Sequence, residues 1–412
     1  MMALPRVVVT GVGAVTAIGL NTSDFWSAMV AGKPGVAPIT RFDASAYPSK
    51  LAAEIKGFDP LKYMDIKLAE RTGPYTQWAI ASTVMAMEMA GLDMRKEKSE
   101  RVGTVIAATG DVHKIGDETD VLKARGPRRI DPLFMNRISA HMAPVQVGKF
   151  IGARGPNSSI NSACASGSDA IGQAFNHLRL GRADVVLSGG TDTLVSPICV
   201  ATMGLLGALS RDAESSKEPK PFDKDRNGMV AGEGAGMLVL ETLEHARARG
   251  AKILCELAGA GWSYDARNDT APDPEGEALA MKAALEDAGM RPEEIDYVNA
   301  HGTGTKLNDA SETKALKIVL GGHAYKIPIS SNKSMVGHLG AGAGGVEAVA
   351  SVLTMVNGVI PPTINYATPD PECDLDYVPN TARKAEVTGI MSTSFGMGGQ
   401  NCAIVFRRFT GA

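Results

Sequence analysis

An α/β layered fold is predicted for this chain by two recurring patterns, short β-branched runs bounded by glycine and amphipathic helical stretches between them. A third observation is glycine itself, 46 among 412 residues, well above the usual level of about 7%. That excess calls for tight turns and close backbone approaches. Residues 7–9, 102–106, 185–187, 237–240 and 403–406 predict strands buried on one or both faces. Apolar runs at 295–300 and 327–330 are two further strand candidates. Helices are predicted over 23–31, 72–90, 165–180, 277–288, 310–320 and 344–356. The stretch 194–210 is uncharged over 17 residues but carries Pro197, and falls short of the roughly 20 apolar residues that cross a bilayer. It reads as buried core and loop. The polar segment 210–226, with Pro219 and Pro221, reads as a surface excursion. A basic helix over 244–249 followed by Gly250 at a helix C-cap position divides the chain into an N-terminal half, 1–250, and a C-terminal half, 251–412.

Composition narrows the function. With 44% hydrophobic residues the chain can fill a large core. Its 42 Lys and Arg against 45 Asp and Glu give a net charge of −3, which supplies no broad positive field for nucleic acid. An acidic partner must therefore meet a local basic patch. Five cysteines at 164, 199, 255, 373 and 402 form neither a disulfide framework nor a Cys-x-x-Cys site, which fits a reducing, cytoplasmic setting. The start of the chain shows no secretory signal pattern. Neither nucleic acid nor membrane is expected as a partner.

Candidate chemistry gathers in a few motifs. Asn161-Ser162-Ala163-Cys164-Ala165-Ser166-Gly167-Ser168 sets Cys164 among small residues directly before an amphipathic helix, where free N–H groups and the helix dipole favour a thiolate. His301 opens His-Gly-Thr-Gly-Thr after the 295–300 run, and His338 closes Asn-Lys-Ser-Met-Val-Gly-His after the 327–330 run. Two histidines in matching settings beyond strand ends, on loops whose glycines let a substrate come close to the backbone, mark a candidate site. No metal is expected, because neither has ligand spacing or a carboxylate cluster beside it. Glycine strings at 11–13, 232–236 and 340–345 lack the dinucleotide and phosphate-loop fingerprints. The turn in Ser394-Phe395-Gly396-Met397-Gly398-Gly399-Gln400-Asn401 can aim backbone N–H groups at an oxyanion.

Taken together, Cys164 in Ser-Ala-Cys-Ala-Ser-Gly, His301 in His-Gly-Thr-Gly-Thr, Lys333 and His338 in Asn-Lys-Ser-Met-Val-Gly-His, and the closing Phe-Gly-Met-Gly-Gly resemble the β-ketoacyl-[acyl-carrier-protein] synthases. The type II elongating synthases of bacterial fatty acid synthesis are the most similar subgroup. The resemblance runs from Val7 to Phe406 with its motifs in family order. It implies a thiolase fold, two similar βαβαβαββ halves in a five-layer αβαβα arrangement, and a homodimer. It further implies a decarboxylative condensation in which Cys164 carries the acyl chain and His301 and His338 bind the malonyl thioester. Cys164 and Met397 would supply oxyanion-hole N–H groups. Lys333, paired with Glu347, would have a supporting electrostatic role. Substrates would arrive on the 4′-phosphopantetheine arm of an acyl-carrier protein, past Thr303, Thr305 and Phe395, with no freely bound cofactor. Docking of that acidic carrier is expected on Lys67, Arg71, Arg128, Arg129 and Arg211.

Three positions depart from the family pattern. Met397 replaces a gating phenylalanine, Gly110 stands where a larger apolar residue lines the acyl pocket, and Arg137 enters the segment 135–141 that forms the pocket wall at the dimer edge. They imply a deeper or reshaped pocket. The alternative is a ketosynthase of a polyketide or polyene pathway, acting with a chain-length-factor-like partner in a heterodimer. A thiolase would need a second active-site cysteine in a Cys-x-Gly element, which Cys402 does not provide. A non-catalytic carrier-binding scaffold would carry an unreactive Cys164.

Overall fold

The computed structural model describes residues 4–212 and 217–411. The N-terminal half runs β1 (Val7–Thr16), α1 (Pro74–Ala90), β2 (Val102–Ala107), α2 (Met142–Ile151), β3 (Asn157–Ile160), α3 (Ser166–Arg179), β4 (Val185–Thr193) and β5 (Ala231–Thr242). The C-terminal half repeats that order as β6 (Cys255–Tyr264), α4 (Pro274–Ala288), β7 (Tyr297–Asn299), α5 (Lys306–Leu320), β8 (Ile329–Ser330), α6 (Ala343–Asn357), β9 (Gly389–Gly396) and β10 (Gln400–Arg407). Each half is thus βαβαβαββ.

Strand order is also shared, β3-β2-β4-β5-β1 in one half and β8-β7-β9-β10-β6 in the other. In both, the first three strands of that order are parallel and the last two join antiparallel. The halves meet where Val7, Val8 and Val9 of β1 pair with Leu257, Glu256 and Cys255 of β6. Helices α3 and α6 touch each other and strands of both halves, so they form the middle layer, while α1 with α2 and α4 with α5 cover the outer faces. This is the expected five-layer thiolase fold.

Helix termini follow local chemistry. α4 starts with Asp273 accepting from the Glu275 N–H and with Pro274 at its first position, where a missing N–H costs nothing. α5 starts with the Thr305 side chain accepting from the Asn308 N–H. A central helix layer covered on both sides must be apolar all round. α6 accordingly is buried from Ala343 to Met355.

Glycine makes that layer possible. A Cβ on Gly167 of α3 would lie 2.6 Å from Gly345 N, and one on Gly345 of α6 would lie 2.4 Å from Gly190 N and 2.5 Å from Gly236 O. The strings at 232–236 and 340–345 are therefore spent on packing strand against helix. Of the segment 210–226, residues 213–216 lie outside the described residues, and the rest is only partly the surface excursion its polarity suggests, because Ser210, Glu218, Phe222, Asp223 and Arg226 are buried. Arg226 is satisfied inside by the carbonyls of Asp223, Thr305 and Lys306, and Asp223 by the N–H groups of Ala367 and Thr368. Part of the stretch 194–210 forms a helix, Pro197–Leu205, with Ile198 and Leu205 exposed.

Gly345→Ala tests this packing. Backbone atoms on both sides leave the new methyl no space, so unfolding free energy should drop by about 3 kcal/mol, the upper range for overpacking, read as a lowered thermal midpoint.

Candidate active site

Cys164 stands between β3 and α3. Ala163 before it is held at φ 51, a left-handed conformation rare for a residue with a side chain. Hydrogen bonds fix that bend, with the Ser162 N–H donating to Ser166 Oγ at 2.8 Å and Ser162 Oγ to Asp169 Oδ2 at 2.9 Å. The Met397 backbone N–H faces the sulfur across the β9–β10 turn. Burial pushes the Cys164 thiol above its ordinary value, while the Met397 N–H and the Lys333 charge pull it down. The net direction is upward, so the thiolate expected from the helix start is outweighed by desolvation.

His301 follows β7 in a loop held by buried carboxylates. Glu312 accepts the N–H groups of His301 and Gly302, both at 2.8 Å, and the Thr393 hydroxyl at 2.7 Å. Asp309 accepts the N–H groups of Gly304 at 3.2 Å and Phe222 at 2.7 Å. Lys333 reaches His301 twice, donating to its carbonyl at 2.6 Å and its Nδ1 at 3.3 Å, and is ion-paired with Glu347. An imidazole that accepts at Nδ1 carries its proton on Nε2. His338 is set the same way, its Nδ1 accepting from the Gly340 N–H at 3.3 Å.

The two rings lie 5.4 Å apart and nearly perpendicular, and Phe395 stands 5.7 Å from His301. Burial, reinforced by Lys333, holds both histidines well below the ordinary 6.5. They are neutral N–H donors at physiological pH. Burial raises the Glu347 carboxyl, against the pull of Lys333. Glu312 is pushed up to about 7 by the same desolvation.

Cys164, His301, His338, Phe395 and Met397 line one cavity of ≈ 610 Å³, with Thr303 and Thr305 along its wall. The two threonine hydroxyls lie 2.9 Å apart. Lys333 and Glu347 stand behind this wall rather than in it. Arg211 reaches the cavity, and so does Lys306, which the motif reading passed over. Lys67, Arg71, Arg128, Arg129 and Arg211 are all exposed, and none is ion-paired among the described residues.

Two residues expected at the acyl pocket lie elsewhere than this cavity. Gly110 and Arg137 do not line the cavity. Gly110 sits at φ +98 with the position of a Cβ only 2.1 Å from the Ile138 carbonyl oxygen, so its lack of a side chain serves backbone approach and opens no space. Arg137 is turned to Asp131, at 3.2 Å, and to the Glu70 carbonyl. Asp309 and Glu312 were missed as well. Their spacing of 8 and 11 residues after His301 is legible only once the loop is known to fold back on its own helix.

Residues 5–246 match the model described as "Beta-ketoacyl synthase, N-terminal domain" and residues 254–367 the one described as "Beta-ketoacyl synthase, C-terminal domain". This chain belongs to the β-ketoacyl synthase family. The synthase is 43% identical over 408 residues, 98% of each chain, to 3-oxoacyl-[acyl-carrier-protein] synthase 2 of Synechocystis. Among solved structures it is similar to the ishigamide ketosynthase/chain length factor, with a TM-score of 0.92 and 36% identity over 99% of this chain and 100% of that one. A type II polyketide ketosynthase, solved in complex with its acyl-carrier protein and bound to the hexaketide, gives 0.88 and 35% over 99% and 100%. The synthase shares its two-half architecture with this ketosynthase class.

The site's electrostatics predict slow alkylation. Iodoacetamide labelling of Cys164, followed by mass spectrometry against Cys164→Ala, should keep rising with pH beyond the ordinary thiol value of 9.0. A plateau near neutrality would mean a resting thiolate.

Proposed function

We propose that the synthase condenses malonyl-acyl-carrier protein with an acyl chain held on Cys164, giving a β-ketoacyl-carrier protein two carbons longer in fatty acid biosynthesis. One observation carries this reading. Two buried, neutral histidines, each with Nδ1 occupied as an acceptor, offer Nε2–H donors beside a cysteine whose sulfur faces a backbone N–H.

The steps balance on these residues. Cys164 sulfur attacks the acyl thioester, the carrier's sulfur leaves, and the thiol proton goes with it. Malonyl thioester then docks with its carbonyl oxygen toward His301 and His338. Loss of CO₂ leaves the electron pair on that oxygen as an enolate, which the two N–H groups stabilise without themselves changing protonation state. The enolate carbon attacks the acyl carbonyl, whose oxyanion the Cys164 and Met397 N–H groups hold. The C–S bond breaks, and the Cys164 thiolate takes a proton from solvent. Lys333 supports this by fixing the His301 tautomer, and Glu347 keeps Lys333 from being an uncompensated buried charge.

The acidic carrier docks on Lys67, Arg71, Arg128, Arg129 and Arg211, with Lys306 added at the cavity, and its arm passes Thr303 and Thr305. The 1–250 half contributes the cysteine and the 251–412 half the histidines. No bound cofactor is needed, and no helix among the described residues is long and apolar enough to cross a membrane. We assign a cytoplasmic homodimer. Among the described residues edge strand β3 pairs on one side only, with β2, and an open edge of this kind joins readily to a second copy. A second reading, a specialised ketosynthase with a chain-length-factor-like partner, draws on Met397, a flexible side chain 46% exposed at the gate position.

Intact-protein mass spectrometry with a panel of acyl-carrier proteins tests both readings. Saturated medium and long chains should load on Cys164 and be released by malonyl-carrier protein as the two-carbon-longer ketone. Loading of unusual chains alone, or only with an added partner subunit, would favour the specialised pathway, and no loading at all a scaffold. His301→Ala and His338→Ala should still load but lose condensation by at least about 100-fold. Sedimentation should give twice the mass of the chain, and Ser159→Pro in β3 should shift it toward monomer.

A further inference from the structure

Asp192, near the end of β4, is fully buried and has no part in the chemistry above. Its Oδ2 accepts two hydrogen bonds from distant segments. One comes from Thr109 Oγ1 at 2.6 Å, in the loop after β2, and the other from the Ala341 N–H at 2.9 Å. Its Oδ1 is buried and has no hydrogen-bond partner among the described residues.

Ala341 belongs to the short turn Gly340–Gly342, whose Gly340 N–H sets the His338 tautomer. Gly340 is at φ +57, and a Cβ there would fall 2.7 Å from Asp192 Oδ2. The turn is thus pressed against the carboxylate as well as bonded to it. His338 is otherwise held through its backbone, its N–H donating to the Val230 carbonyl at 2.7 Å and its carbonyl accepting from the Gly232 N–H at 2.8 Å. Those bonds fix where the residue begins. The Gly340 N–H is the one hydrogen bond to the imidazole itself among the described residues.

We propose that Asp192 is a positioning residue for the malonyl half of the reaction, anchoring the Gly340–Gly342 turn so that the His338 Nε2–H points at the enolate oxygen. This rests on the condensation reading above. A loosened turn lets the ring rotate about its own axis, and a misplacement of about 1 Å can cost on the order of 100-fold. Cys164 acylation does not use His338 in this scheme and should survive. The carboxyl is also placed to titrate, since burial lifts it to about 6 against the pull of Thr109 and Ala341. The other titratable groups that feel its charge are Tyr75 of α1, Cys199 of the Pro197–Leu205 helix, and Cys164. The two cysteines and the tyrosine are all raised, so none of them changes charge between pH 5 and 7.

The test measures the half-reactions separately on the full chain. Acyl loading of Cys164 is read by intact mass, and CO₂ release is read from malonyl-carrier protein on the pre-acylated enzyme. Asp192→Ala should load within about threefold of the parent while CO₂ release falls by about 10–100-fold. Asp192→Asn still accepts from Thr109 and Ala341, and should recover CO₂ release to within about threefold at neutral and at acid pH. Loading and CO₂ release falling together would overturn the proposal in favour of a purely structural role. So would unchanged CO₂ release in Asp192→Ala. Should that variant not fold, Ala341→Pro, which removes the N–H that Asp192 accepts, overturns it as well by leaving CO₂ release unchanged. A parent that neither loads nor releases CO₂ would instead defeat the condensation reading itself.

Discussion

The buried Lys333–Glu347 pair is the interaction on which the site depends. Lys333 sits on the one-turn helix Lys333–Val336 and Glu347 on α6, and between them they fix a full positive charge behind His301. That charge occupies the His301 Nδ1 and carbonyl, depresses both histidines, and draws the Cys164 thiol downward against its burial. A charge buried without a partner would be costly, and one paired at the surface would be screened. Burial and pairing together let one lysine act on three functional side chains.

Burial of that kind needs a place with no water, and the middle helix layer supplies it. α3 brings the nucleophile and α6 brings Glu347, and both are covered by strands on either side. Their approach rests on Gly167, Gly190, Gly236, Gly344 and Gly345, where backbone meets backbone with no space for a methyl group. Catalytic geometry and fold stability therefore share the same contacts. The glycine content that first suggested turns is in large part a packing device.

Much of the architecture was legible in the chain. Every predicted helix exists, although α1 begins at Pro74, where proline fits the first helical position, and α5 extends back to Lys306, because Thr305 caps it. Strand ends were read short, since Gly11 and Gly13 in β1 and Gly232, Gly234 and Gly236 in β5 look like turns when taken one residue at a time. The segment 210–226 misled for the opposite reason. Its buried charges Asp223 and Arg226 are satisfied by partners from residues 305–306 and 367–370, far along the chain.

At the site, the sequence by itself determined the reacting groups. Cysteine, two histidines and a lysine with glycine around them are chemically distinctive, and their motifs are local. Tertiary structure decided everything that depends on distance and dielectric. It shows the thiol raised, both imidazoles neutral with Nε2 protonated, Gly110 filled by the Ile138 carbonyl and Arg137 turned to Asp131. It also brought in Glu312, Asp309 and Asp192, carboxylates that hold the loops. Residue type fixes which proton or electron pair a side chain can offer, but which way it faces and how much water it has lost are set by neighbours hundreds of residues away.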